Sequence, residues 1–128
     1  MSLRRFVQAH PIGATPRIIA DIDPLLADTH AFEELRLLSQ LRSRPTTLTD
    51  DEMASLRRII GGGGTDPASR LGLTPDAPYD GPRAAFAAAQ RWRRRAEHPL
   101  NDPFTTRACR AAVRSAEALV AQYAARGY

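Results

Sequence analysis

Apolar residues recur along the chain at spacings of three and four, and prolines or acid-plus-proline pairs interrupt them at almost every break. That period belongs to amphipathic helices, and no stretch alternates as a half-buried strand would. "SLRRFVQAH" predicts a short helical piece stopped by Pro11. Thr15 with Pro16 opens the next helix, and Asp23 with Pro24 restarts or kinks it. "THAFEELRLLSQLRSR" follows, with Phe32, Leu35, Leu38 and Leu41 expected on one buried face and Pro45 as the stop. In "LTDDEM", residues 48–53, Thr49 is spaced to cap the amide of Glu52 while Glu52 reaches back to that of Thr49. Leu48 and Met53 flank this capping box, and Asp50 and Asp51 suit the positive end of the helix dipole.

That helix runs into "RRIIGGGGTD", residues 57–66. Glycine-rich loops can cradle phosphates, but a P-loop needs a lysine and this chain has none. A dinucleotide loop needs a strand before its glycines, and the preceding segment reads as helix. Gly61 is instead placed just past a helix end, and residues 61–66 are expected to form a flexible joint. Asp66 with Pro67 starts a short helix ending near Gly72, and residues 73–81 form a proline-rich connector.

Asp80 to Pro82 open the next helix. Counting about 100° per residue, Ala85, Phe86, Ala89, Trp92 and Ala96 share an apolar arc, with Arg83, Arg91, Arg94 and Arg95 opposite. Arg93 falls inside the apolar arc, so its guanidinium is expected to reach solvent or meet a carboxylate. Pro99 ends this helix and Asp102 with Pro103 begins the last. There Ala108, Cys109, Ala112, Ala116, Leu119, Val120 and Tyr123 form a stripe, with Arg107, Arg110 and Arg114 on the far side. The expected fold is all-α: one antiparallel, stalk-like helical bundle over residues 1–128, with a glycine-rich hinge and a proline-rich connector.

Composition narrows the function. A chain of 128 residues suits one domain, and 43% hydrophobic with 25% charged is ordinary. No run approaches ~18 apolar residues, and the start lacks a secretory apolar segment, so a cytoplasmic setting is expected. Peripheral contact with the inner face of the plasma membrane is compatible with it. All 18 basic residues are arginine, which suits both a GC-rich genome and phosphate recognition. Residues 1–64 are net neutral, so the whole +4 lies in residues 65–128.

Catalytic chemistry is missing. Cys109 is the one cysteine and lies in an apolar stripe, which reads as core rather than nucleophile. His10, His30 and His98 sit apart, without metal-ligand spacing, and no serine lies in a G-x-S-x-G elbow. No enzyme activity, cofactor or metal is therefore expected of this chain. The candidate contact for anionic lipid is Arg83, Arg91, Arg94 and Arg95; its bland alternative is a solubilising face. Alanine-rich helices favour close approach within the bundle or self-association. The rival reading is a small basic nucleic-acid-binding or protein-interaction module, although no nucleic-acid fold signature accompanies the arginines.

Two long stretches, "LRRFVQAHPIGATPRIIADIDPLLADTHAFEELRLLSQL" and "WRRRAEHPLNDPFTTRACRAAVRSAEALVA", resemble the C-terminal part of the isoniazid-inducible, dynamin-like GTPases of mycobacteria. The likeness covers nearly the whole chain and diverges around residues 61–82 and at the final residues. It implies a longer parent in which a GTPase domain, with GTP and magnesium, precedes stalk-type helices. It further implies membrane remodelling and a response to cell-wall inhibitors associated with drug tolerance. The GTPase domain is then a partner of this chain, which carries none of that family's nucleotide motifs.

Overall fold

The structure is a computed structural model that describes residues 29–74 and 80–127. The elements expected around Pro11, Pro16 and Pro24, and the connector's centre at residues 75–79, lie outside the described residues. Contacts divide the chain into residues 1–33 and 34–128. Of the first unit, residues 29–33 are described and are helical.

The described residues form five helical segments and no strand. They are α1 (29–40), α2 (Asp50–Ile59), α3 (Pro67–Leu71), α4 (Gly81–Ala96) and α5 (Pro103–Ala125). The caps of α2, α3 and α5 form where the sequence placed them, whereas Asp80 at the start of α4 makes no side-chain capping bond. Thr49 Oγ1 accepts from the Glu52 amide at 3.1 Å while Glu52 Oε1 accepts from the Thr49 amide at 2.9 Å. Asp66 and Asp102 cap α3 and α5, each ahead of a proline whose missing N–H costs nothing at that position.

The most extensive helix contact is between α4 and α5. They run antiparallel, so Gly81 at the start of α4 lies under Tyr123 near the end of α5, with no room for a Cβ between them. Their buried faces are mostly alanine, around Trp92 and Phe104. Leu37, Leu41, Leu56, Ile59 and Ile60 from the earlier elements complete the same core.

Two expectations change. On α1, Leu37 and Leu41 are buried and Leu38 is partly so, whereas Phe32 and Leu35 are exposed. A constant step of three slips about 60° per step, so four such residues cannot share one face. The inward slot at position 34 is taken by a glutamate instead. On α4 the buried residues are Gly81, Ala85, Ala88, Ala89 and Trp92, while Phe86 is exposed. The apolar face is thus rotated away from Phe86 toward Ala88.

Residues 61–66, expected as a flexible joint, include a hydrogen-bonded turn. Gly61 N–H donates to the Arg58 carbonyl and Gly62 N–H to that of Arg57, closing α2 behind a left-handed residue, Gly61, at φ 99°. Arg70 then bridges the turn, donating to the carbonyls of Ile59 at 2.9 Å and Thr65 at 3.1 Å.

Candidate anion-binding surface on the last two helices

The glycine turn follows the carbonyl end of α2, the negative pole of that helix, whereas phosphate loops precede a helix N-terminus. The next N-terminus, that of the five-residue α3, is already filled by the Asp66 carboxylate. The nearby hydroxyl of Ser69 also donates to Asp66, and these bonds hold its carboxyl below the usual range.

The four arginines expected to form one outward set on α4 separate into three and one. Arg83, Arg91 and Arg94 are exposed and have no ion-pair partner among the described residues. Arg95 is drawn inward, with 15% of its side chain exposed. Its Nε donates to Glu52 Oε2 at 3.0 Å, one terminal nitrogen to the Thr47 carbonyl at 3.1 Å, and the other to Asn101 Oδ1. Asn101 returns to α4, its amide donating to the carbonyl of Arg95 at 2.8 Å. The rotation that exposes Phe86 accounts for this: a face centred near Ala85, Ala88 and Trp92 borders Arg95, not Arg93. Arg93 lies at the surface, half exposed, and does meet a carboxylate, that of Glu117 on α5.

Burial works against the charge on Glu52, but bonds from the Thr49 backbone and the Arg95 guanidinium outweigh it and hold the carboxyl below its ordinary value. At α5, the Thr105 hydroxyl and amide bond the Asp102 carboxylate and hold it low as well. Cys109 is fully buried, and that burial pushes its thiol up to about 11. It is a protonated core side chain at neutral pH.

A second basic stripe lies on α5. Arg107, Arg110 and Arg114 are exposed on one side of that helix, and Phe104 beneath them has the Arg44 guanidinium 4.1 Å from its ring centre and that of Arg107 at 5.4 Å.

Sequence reasoning missed one buried polar cluster. Glu34 is 5% exposed and accepts two bonds from Arg70, at 2.7 and 3.2 Å, and one from the buried Ser115 hydroxyl. The available signal was its position, three and seven residues before the buried Leu37 and Leu41. Among the described residues no cluster of three or more His, Cys, Asp or Glu could hold a metal ion. No described helix is long and apolar enough to cross a membrane.

No family model matches the chain, and no solved structure matches it. Among curated proteins it is similar to isoniazid-induced protein IniC from two strains of Mycobacterium tuberculosis. Each is 76% identical over 126 residues, which is 98% of this chain and 26% of the relative. The chain therefore spans about a quarter of the length of the relatives it matches. It matches, from end to end, a part of the isoniazid-induced protein IniC.

Proposed function

We propose that this chain is the non-catalytic helical part of a dynamin-like GTPase that serves the mycobacterial response to isoniazid and related cell-wall inhibitors. The observation that carries this reading is the 76% identity to IniC, sustained over 126 residues. In this reading GTP and magnesium belong to a GTPase domain elsewhere in the longer protein. The helical part couples that domain to assembly and to an anionic membrane surface. Arg83, Arg91 and Arg94 on the outer face of α4 are its lipid contacts, supported by their exposure and by the lack of an ion pair to any of them among the described residues. Arg95 leaves the set because its donors are engaged within the fold.

The test compares GTP turnover by the longer protein and by this chain, then binding of each to phosphatidylcholine vesicles with and without phosphatidylglycerol. Turnover by the longer protein alone is expected. Each basic residue near an anionic surface contributes ~1 kcal/mol, so Arg91→Glu with Arg94→Glu should weaken vesicle binding about tenfold or more at unchanged melting temperature. Unchanged binding in that variant would remove the lipid contact, and turnover by this chain would remove the non-catalytic assignment.

A further inference from the structure

Four large apolar side chains are exposed among the described residues: Phe32, Leu35, Phe86 and Leu100. Phe32 and Leu35 stand on α1, next in sequence to residues outside the described part, and Leu100 sits in the turn between α4 and α5. Phe86 differs, because it lies within a regular helix on the face turned away from the core, 55% exposed. At about 100° per residue, Arg83, Phe86, Ala87, Gln90 and Arg94 share ~100° of the outer arc of α4, and all five are exposed. We propose that this face enters the headgroup layer of an anionic bilayer with the Phe86 ring lodged at the top of the acyl chains, held there by Arg83 and Arg94. It rests on the lipid contact of α4 and adds an apolar anchor to it.

Shape and charge name the occupant. The outward side of one helix is convex, and a convex basic face fits the plane of a bilayer, whereas a peptide partner docks in a groove. Arg83 stands three residues before Phe86 and Arg94 eight after it, and neither has an ion pair among the described residues. The acids of this stretch stand at the ends of the helix. Asp80 precedes its first turn, and Glu97 follows the last, where it shares a groove with Arg93, Arg110 and Arg114. Arg91, at the edge of the face, lines a cleft that also holds Asp51 and Glu52, so the anchor is built on Arg83 and Arg94. An arginine stem is long and apolar, which lets the guanidinium groups stay with lipid phosphates while the ring between them sits deeper.

Two forces then act on the bound helix. Attraction to anionic headgroups is screened by salt, whereas transfer of an aromatic ring out of water is not. Insertion also needs a gap between headgroups, so loosely packed and strongly curved bilayers are preferred. Phe86 fills no part of the core, and replacing it leaves the fold intact.

Binding of the 128-residue chain to phosphatidylcholine vesicles containing phosphatidylglycerol tests the anchor, at low and high sodium chloride and with small sonicated or large extruded vesicles. Phe86→Ser should weaken binding about fivefold at both salt concentrations, with an unchanged melting curve. Arg83→Gln with Arg94→Gln should weaken it chiefly at low salt. The native chain should favour small vesicles, and Phe86→Ser should lose that preference. Phe86→Trp reads the depth directly, because Trp92, the chain's one tryptophan, is buried and beyond the reach of lipid. Fluorescence of that variant should be quenched by lipid brominated near the top of its acyl chains. Native binding by Phe86→Ser, or no quenching of vesicle-bound Phe86→Trp, would overturn the anchor while leaving the electrostatic contact in place. Binding unchanged by Arg91→Glu with Arg94→Glu would instead remove the lipid contact itself, and the anchor with it. A lipid-free chain that dimerises, and no longer does so with Phe86→Ser, would give this face to a second copy and overturn the proposal as well.

Discussion

Arg94 and Arg95 are chain neighbours with the same side chain, and the fold uses them differently. Arg94 stands in solvent, while Arg95 joins the loop before α2, the first turn of α2, and the turn between α4 and α5. Losing the Arg95 side chain would strip Glu52, the Thr47 carbonyl and Asn101 of a charged donor, and bonds to charged groups contribute more than neutral ones. Arg95→Met should therefore destabilise the chain by about 2 kcal/mol, whereas Arg94→Met should stay within ~0.5 kcal/mol. Urea unfolding of the two variants measures the difference; equal midpoints would mean that the Arg95 bonds exchange freely with water. The ion pair of Arg93 and Glu117 stands between these cases. Both side chains are about half exposed, and a pair screened in that way contributes well under ~1 kcal/mol.

At the level of elements, the sequence disclosed most where a local rule governs. The capping box of α2, the aspartates ahead of Pro67 and Pro103, and the stripe of α5 from Ala108 to Tyr123 form as their residues dictate. The rotational setting of α1 and α4 was less legible, because the neighbours decide it. Glu34 displaces a hydrophobic side chain from the inward face of α1 because Arg70, 36 residues away, pairs with it. Phe86 is left outside because alanines let α4 approach α5 closely. The same contrast between local and distant constraint applies to the glycines. Gly61 needs its φ of 99°, and a Cβ on Gly62 would meet the Arg57 carbonyl at 2.8 Å, but a Cβ on Gly63 meets nothing within 4 Å. Gly61→Ala should cost about 1 kcal/mol or more, while Gly63→Ala should be neutral or stabilise by a few tenths of ~1 kcal/mol. Thermal melts of the two would expose a freely flexible joint by showing no difference. The caps also set an acid limit. Glu52, Asp66 and Asp102 are all held below their ordinary values of 4.5, 3.8 and 3.8. A lowered folded value stabilises the fold above the unfolded value and is lost as pH falls through the folded one. The melting temperature should thus decline from about pH 5 toward about pH 2, and Glu52→Gln should start lower but decline less. A parallel decline in both proteins would show that Glu52 has no part in it.

Across the whole molecule, charge and packing are distributed unevenly, and that imbalance produces the candidate surface. The helix pair with the most extensive contact, α4 with α5, carries an alanine-rich inner face whose buried Thr105 and Ser115 hydroxyls donate to Asp102 and Glu34. On its outer side Arg93, Arg110 and Arg114 share a groove with Glu97, and Arg107 lines the next one with Arg110 and Arg114. Close helix packing therefore brings Arg93 of α4 beside Arg110 and Arg114 of α5, and repulsion among these arginines, offset in part by Glu97 and Glu117, opposes the folded hairpin. Salt screens exposed charges over a Debye length of ~10 Å at about 0.1 M, but screens the largely buried pairing of Arg70 with Glu34 much less. Adding sodium chloride should consequently raise the melting temperature, because it weakens the repulsion more than it weakens the internal pairs. Arg107→Gln with Arg110→Gln should begin higher at low salt and gain less from the addition. A melting temperature that falls with salt would mean that attractive surface pairs, such as Arg93 with Glu117, outweigh the repulsion.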